Sequence, residues 1–229
     1  MNREQLEHAI RASGDILQED EVIIVGSQAI LGAVDEGLPK EVTLSTEVDV
    51  MAVSDPTGEK ALKINGALGE LSQFEESFGY YVEGVEDGLC RFPEGWRDRM
   101  VEIDTPATNG VKGLCVDPHD LCVAKLLAGR GKDLKYVAAL LRSGHIKAGV
   151  LVERAKRTEL TDDEFERLRA FVKRIAPPGR KNNARHVLRA AARVVSDSAD
   201  ETSGSSLFGG NLDRSHSEVT DGSESVDPP

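Results

Sequence analysis

The sequence predicts an α/β fold of the α+β kind, in which a mixed sheet of four or five strands with flanking helices precedes a helical segment and an acidic tail. Three observations predict it. Short apolar runs bounded by turn residues recur through the first half, at 22–25, 46–53, 80–82, 100–103 and 113–116. Beyond Asp117 the apolar spacing changes to three and four and stays helical. From Ser196 the chain is rich in Ser, Gly, Asp and Glu, a composition that buries too little apolar surface to offset ordering, so disorder is expected. The corresponding divisions are an α/β core at 1–116, a helical region completing a cleft at 117–195, and a tail at 196–229.

Residues 3–18 place Leu6, Ala9, Ile10, Ile16 and Leu17 at mostly helical spacing, as an amphipathic helix that Gly14 is expected to break. The run 22–25 is a short buried strand, and 28–34 reads as a helix starting directly after Gly26-Ser27. The next strand, 46–53, closes at Ser54-Asp55-Pro56. Residues 58–71 form a helix with Ala61, Leu62, Ile64, Ala67, Leu68 and Leu71 inward, and Gly66 and Gly69 suggest close packing there, since glycine lowers helix stability. The three further strand-like runs have hairpin-like spacing, which favours some antiparallel pairing.

Asp117-Pro118-His119-Asp120 is a helix start, with a capping acid, proline at the first helical position and a second acid in the first turn. That helix runs to Gly129, a second covers 132–142, and a third 146–157. Thr161 to Glu164 is a capping box opening a fourth helix, which Pro177-Pro178-Gly179 ends. Residues 180–195 carry Arg180, Lys181, Arg185, Arg189 and Arg193 with no acid, a tract able to follow a phosphate backbone. A solvated surface helix answering the acidic tail is the plainer reading, and it is preferred.

The 229 residues carry a formal charge of −12, but the stretch from Asp197 onward holds eight acids against Arg214 alone. Net charge therefore says little about what the folded part binds. No apolar run approaches the roughly 20 residues of a membrane helix, and no signal-peptide core follows Met1, so a cytoplasmic protein without membrane contact is expected. Cys90, Cys115 and Cys122 are odd in number and match no zinc spacing even with His119, which favours buried reduced thiols.

Chemistry concentrates between residues 26 and 49. Alternation along a strand puts Glu47 and Asp49 side by side while Val48 and Val50 point to the core. Carboxylates at that distance repel, which a cation between them relieves. Gly26-Ser27 at the end of the preceding strand lets backbone approach a phosphate. One or two Mg²⁺ ions on the acids would then bridge phosphates and lower the charge of a transferring phosphoryl group. An edge strand with one solvent face remains the alternative for the acidic pair taken alone.

The pairing of Val25-Gly26-Ser27 with Glu47-Val48-Asp49-Val50 resembles the nucleotidyltransferase superfamily of the polymerase-beta type. Val116 to Leu121 and Lys125 to Leu134 resemble a later signature of uncharacterised bacterial members grouped with AbiEii-type toxins, and the likeness covers about residues 20–145. The resemblance implies that Glu47, Asp49 and Asp133 hold Mg²⁺ (or Mn²⁺), with Glu102 as a lesser candidate for the third acid. It implies that Gly26, Ser27, Lys125, Arg130 and Lys132 bind the NTP, and that Asp133 completes the acidic cluster or orients an attacking hydroxyl. The implied activity moves an NMP from an NTP to an acceptor hydroxyl. RNA, tRNA included, is the implied acceptor, 180–195 would help hold it, and an antitoxin protein is the implied partner. Lys125 as a snorkelling surface lysine and Asp133 as a first-turn helix acid are the structural alternatives. Glu47 stands where the superfamily more commonly has Asp, which lengthens the ligand by about one methylene. That departure motivates a second reading, a nucleotide-binding protein of weak or no activity that acts through a protein partner.

Overall fold

The structure is a computed structural model and describes residues 1–34 and 36–176. The basic tract at 180–195 and the tail at 196–229 lie outside the described residues. Helix α1 (Arg3–Leu17) leads to β1 (Glu21–Ile24), a 3-10 segment (Ser27–Gly32), β2 (Glu47–Ala52), α2 (Glu59–Leu68), α3 (Gln73–Phe78) and β3 (Tyr81–Gly84). After β4 (Val101–Ile103) and β5 (Lys112–Cys115), the chain turns helical: α4 (Pro118–Ala128), α5 (Gly131–Ser143), α6 (Ala148–Ala155) and α7 (Asp162–Ile175). The five strands form one mixed sheet in the order β3-β2-β1-β5-β4. β1 pairs antiparallel with β2 and parallel with β5, β2 pairs parallel with β3, and β4 pairs antiparallel with β5. The mixed α/β architecture is as expected from the sequence.

The described residues all belong to one compact unit that runs Met1–Gly179, so α4 to α7 share it with the sheet. Val48, Val50 and Val82 are fully buried, and α1 and α2 pack over β2 and β3. Gly84 of β3 permits the packing of α2, because a Cβ there would strike the backbone of Ala61, and Gly113 of β5 lets α1 lie close, because a Cβ there would strike Ile10. Cys115 and Cys122 are buried thiols, whereas Cys90 is exposed, contrary to the expectation for all three.

Several local expectations change. Helix α1 passes through Gly14 instead of stopping there, because Gly14 is where Val111 comes too close for a side chain. Its start is an unanticipated capping box between Asn2 and Gln5. The helix expected at 28–34 is a 3-10 segment one residue earlier and shorter, in which Gln28, Ala29, Ile30 and Leu31 are all buried. A stretch enclosed on every side has no solvent face on which a longer amphipathic helix could run. Gly66 meets open space, so it marks no close packing, and Gly69 ends α2 as its cap. Of the side chains expected inward only Ala61, Ile64 and Leu68 are buried, whereas Leu62, Ala67 and Leu71 are exposed.

Candidate active site

The parallel pairing of β2 with β3 sets Glu47 opposite Tyr81 and Asp49 opposite Glu83. All four side chains project from the face opposite Val48, Val50 and Val82, by alternation. Glu47, Asp49 and Glu83 each offer a carboxylate oxygen, and these oxygens lie within 4.8 Å of one another. The Tyr81 hydroxyl donates to Glu47 Oε2 at 3.3 Å.

Three carboxylates so placed cannot all ionise at ordinary values. Burial, then the Glu47 charge and the hydrogen bond with Glu47, push Asp49 up to about 7, against the pull of Lys125. Glu83 is raised by its hydrogen bond to Glu47, by burial and by the Glu47 charge. Burial also acts to raise Glu47, but hydrogen bonds with Glu83 and Asp49, the Lys132 charge and the Tyr81 hydroxyl outweigh it, so Glu47 lies below its ordinary value. Asp49 thus holds its proton up to about neutrality, and a divalent cation would displace it. An all-oxygen donor set of this charge fits a hard ion such as Mg²⁺ or Mn²⁺.

Gly26 closes the cluster from β1. It has φ 60° and ψ −160°, a conformation that only glycine adopts readily, and a Cβ there would overlap the Asp49 carboxylate. Ser27 follows, and its hydroxyl accepts from Lys125 Nζ at 2.9 Å. The same ammonium donates to Asp133 Oδ1 at 3.3 Å and lies 4.5 Å from the Tyr136 ring centroid. Tyr136 in turn donates its hydroxyl to the Ser27 carbonyl at 2.7 Å. Lys125 is only 6% exposed, which removes the snorkelling alternative. Two of its three N–H bonds are committed to Ser27 and Asp133, leaving one for a ligand.

These groups face a cleft of about 460 Å³. Its lining includes Gly26, Ser27, Glu47, Asp49, Glu83 and Lys125 together with the apolar Leu89, Phe92, Leu121 and Leu127. The loop bearing Leu89 and Phe92 is held by Arg91, whose Nη2 donates to Glu164 Oε1 at the start of α7 at 2.6 Å. A second cavity of about 420 Å³ shares Ser27, Ser45, Lys125 and Lys132 with the first and opens toward α5.

Comparison with known families decides the classification. Residues 4–176 match the family DUF6036, described as a nucleotidyltransferase of unknown function. The chain belongs to this family. No curated protein and no solved structure matches it. The matched span runs from the first turn of α1 to the last residue described, so the DUF6036 region comprises the sheet and the helices beyond it alike.

Within this DUF6036 nucleotidyltransferase, Gly26, Ser27, Glu47, Asp49, Lys125, Arg130 and Lys132 all line the one cleft. Asp133 lies behind it. It is buried, it lines the second cavity, and both its oxygens are engaged, Oδ2 by Arg130 Nε at 2.6 Å and Oδ1 by Lys125. Burial would raise its carboxyl, but Arg130 and Lys125 outweigh that and hold it below the ordinary value. In this arrangement it is a paired charge beside Lys125, and the carboxylate that joins Glu47 and Asp49 is Glu83. Glu102 is exposed on the edge strand β4, separated from β2 by β1 and β5, and it faces Lys112 at 3.7 Å. It has no part in the cleft.

Glu83 escaped the sequence reading although Tyr81-Val82-Glu83 alternates like Glu47-Val48-Asp49. The alternation was visible, but only the parallel register puts the two acidic faces together. The sequence predicts Asp120 as a first-turn helix acid, yet it is fully buried. Arg99 Nε donates to its Oδ2 at 2.8 Å, and Arg154 Nε lies 3.3 Å from Oδ1 without hydrogen-bond geometry. It ties α4, and hence Lys125, to the segment Trp96–Arg99 and to α6.

Proposed function

We propose that the cleft transfers a nucleoside monophosphate from an NTP to an acceptor hydroxyl in a Mg²⁺- or Mn²⁺-dependent reaction. The observation that carries this reading is the meeting of Glu47, Asp49 and Glu83 with Ser27 and Lys125 in one cleft. The acceptor oxygen bonds to the α-phosphorus, the bond from that phosphorus to the pyrophosphate oxygen breaks, and the hydroxyl proton leaves to the surrounding base or solvent. Glu47, Asp49 and Glu83 would hold the cation, which when bound offsets the charge of the phosphates. Lys125, with Ser27 beside it, supplies the remaining N–H and a fixed positive charge to a phosphate oxygen. Asp133 and Tyr136 hold that ammonium in place, while the apolar residues of the lining offer a surface to a nucleobase.

RNA, with a tRNA end as one form of it, is the acceptor we infer from the likeness of Lys125 to Leu134 to AbiEii-type nucleotidyltransferases, together with a toxin–antitoxin setting and a protein antitoxin as partner. Incubation with α-labelled NTPs, Mg²⁺ and total RNA tests the reading. Label is expected in RNA, and Asp49→Ala is expected to lose at least about a hundredfold of the rate, on the scale of removing a preorganised charge-stabilising group. Equal labelling by Asp49→Ala would sink it. Glu47 motivates the second reading, nucleotide binding with little or no transfer and action through a protein partner. Calorimetry separates the two, because Mg²⁺-dependent NTP binding without labelled product in any RNA fraction supports the second.

A further inference from the structure

A third depression, of about 620 Å³, lies between α5 and the end of α7 and continues the second cavity, with which it shares Glu41 and Lys135. Its rim carries Lys135, Arg142 and Arg174 against the single acid Glu41, and its floor is apolar, from Leu134, Ala138, Ala139 and Phe171. Positions 132, 135, 139 and 142 recur at the spacing of one helix face, so Lys132, Lys135 and Arg142 form a row along α5. The row spans about 15 Å at 1.5 Å rise per residue. All four cations are exposed, and among the described residues no ion pair engages Lys135, Arg142 or Arg174. In a chain of net charge −12, such a row has a local sign opposite to that of the whole.

We propose that this groove is the path along which a single-stranded nucleic acid enters the cleft. The inference rests on the reading that the acceptor is RNA, and it assigns the surface that holds the strand. A file of cations spaced along one helix suits successive phosphates, and an apolar floor with a half-buried aromatic ring suits unstacked bases. Phe171 has that role here, with the Arg174 guanidinium 5.6 Å from its ring centroid as a second stacking surface. The row begins at Lys132, which also lines the carboxylate cleft, so a strand lying on it would deliver its end beside Ser27 and Lys125.

The test measures binding separately from transfer. Fluorescence anisotropy of the full chain with a labelled twelve-nucleotide RNA should give an affinity that falls steeply with salt. The double variant Lys135→Glu/Arg142→Glu should bind about tenfold or more weakly and show a salt slope shallower by about 1.4, the loss of two single-strand phosphate contacts. Arg174→Glu, made separately on α7, should weaken binding as well, while a fluorescent NTP analogue binds all three proteins alike. Undiminished RNA affinity in both variants would overturn the proposal. Equal affinity for a DNA duplex would overturn the single-strand assignment. A protein whose groove variants lose RNA binding, but which transfers no NMP, would retain the groove and lose the activity proposed above.

Discussion

Asp49 is the residue on which the site's electrostatics turn. Its ordinary value of 3.8 is moved to about 7 by burial and by Glu47. Between those two values the folded chain holds a proton that the unfolded chain has lost, so stability falls as pH rises through that window and stays low above it. Each unit of displacement is worth about 1.4 kcal/mol, and sharing with neighbours and solvent reduces the net effect. Asp49→Asn is accordingly expected to stabilise the cation-free protein by on the order of 1 kcal/mol at pH 8 and by nearly nothing below pH 4. Thermal unfolding at both pH values checks it. In the same experiment millimolar Mn²⁺ should raise the melting temperature of the unaltered protein and leave that of Asp49→Asn nearly unmoved. A variant no more stable than the parent at pH 8 would remove the electrostatic account of the cluster.

At the scale of elements, the pairing of β2 with β3 selects the third carboxylate, and the α4–α5 junction selects the role of Asp133. Glu83 reaches the cluster because parallel register sets it opposite Asp49, whereas Asp133 is turned to Lys125 and Arg130. Two substitutions therefore separate. Glu83→Gln should weaken Mn²⁺ binding about tenfold, as the loss of one charged ligand oxygen worth roughly 1.4 kcal/mol. Asp133→Asn should leave Mn²⁺ affinity unchanged and instead weaken NTP binding, because Lys125 loses its partner. Titration calorimetry reads both, and a fall in Mn²⁺ affinity for Asp133→Asn would return that residue to the ligand set expected from the sequence. The same scale explains which elements were readable. Asp117 caps α4 by accepting from the His119 and Asp120 amides, and Thr161 caps α7 with Glu164, because capping is a contact between near neighbours. The 3-10 segment after Gly26 was not readable, since its form follows from enclosure by distant residues, among them Ser45, whose carbonyl accepts from Gln28 Nε2.

Across the molecule, polar contacts join the chain before Asp117 to the helical segment after it, among them Arg99 to Asp120, Lys125 and Tyr136 to Ser27, and Arg91 to Glu164. Removing the Asp120 carboxylate leaves Arg99 and Arg154 facing a buried space, so Asp120→Ala should cost about 3 kcal/mol, the lower end of the range for breaking a buried pair because both arginines keep some solvent contact. The midpoint of urea unfolding should drop while the slope is kept, in one transition, as expected where residues 1–176 belong to one compact unit. An unchanged midpoint would mean that Asp120 does not hold α4. No helix among the described residues is long and apolar enough to cross a membrane.

By itself the sequence determined the order of the strands and of the helices other than α3, the caps of α4 and α7, and the closeness of Glu47 to Asp49 and of Lys125 to Arg130. Each of these depends on periodicity or on residues near in the chain. Tertiary structure alone decided that Glu83 joins the acids, that Glu102 stands at the far edge, that Lys125 is buried on Ser27 and Asp133, and that Asp120 lies between two arginines. Those outcomes depend on strand register and on contacts between residues distant in sequence, and alternation along one strand cannot say which neighbour its polar face will meet.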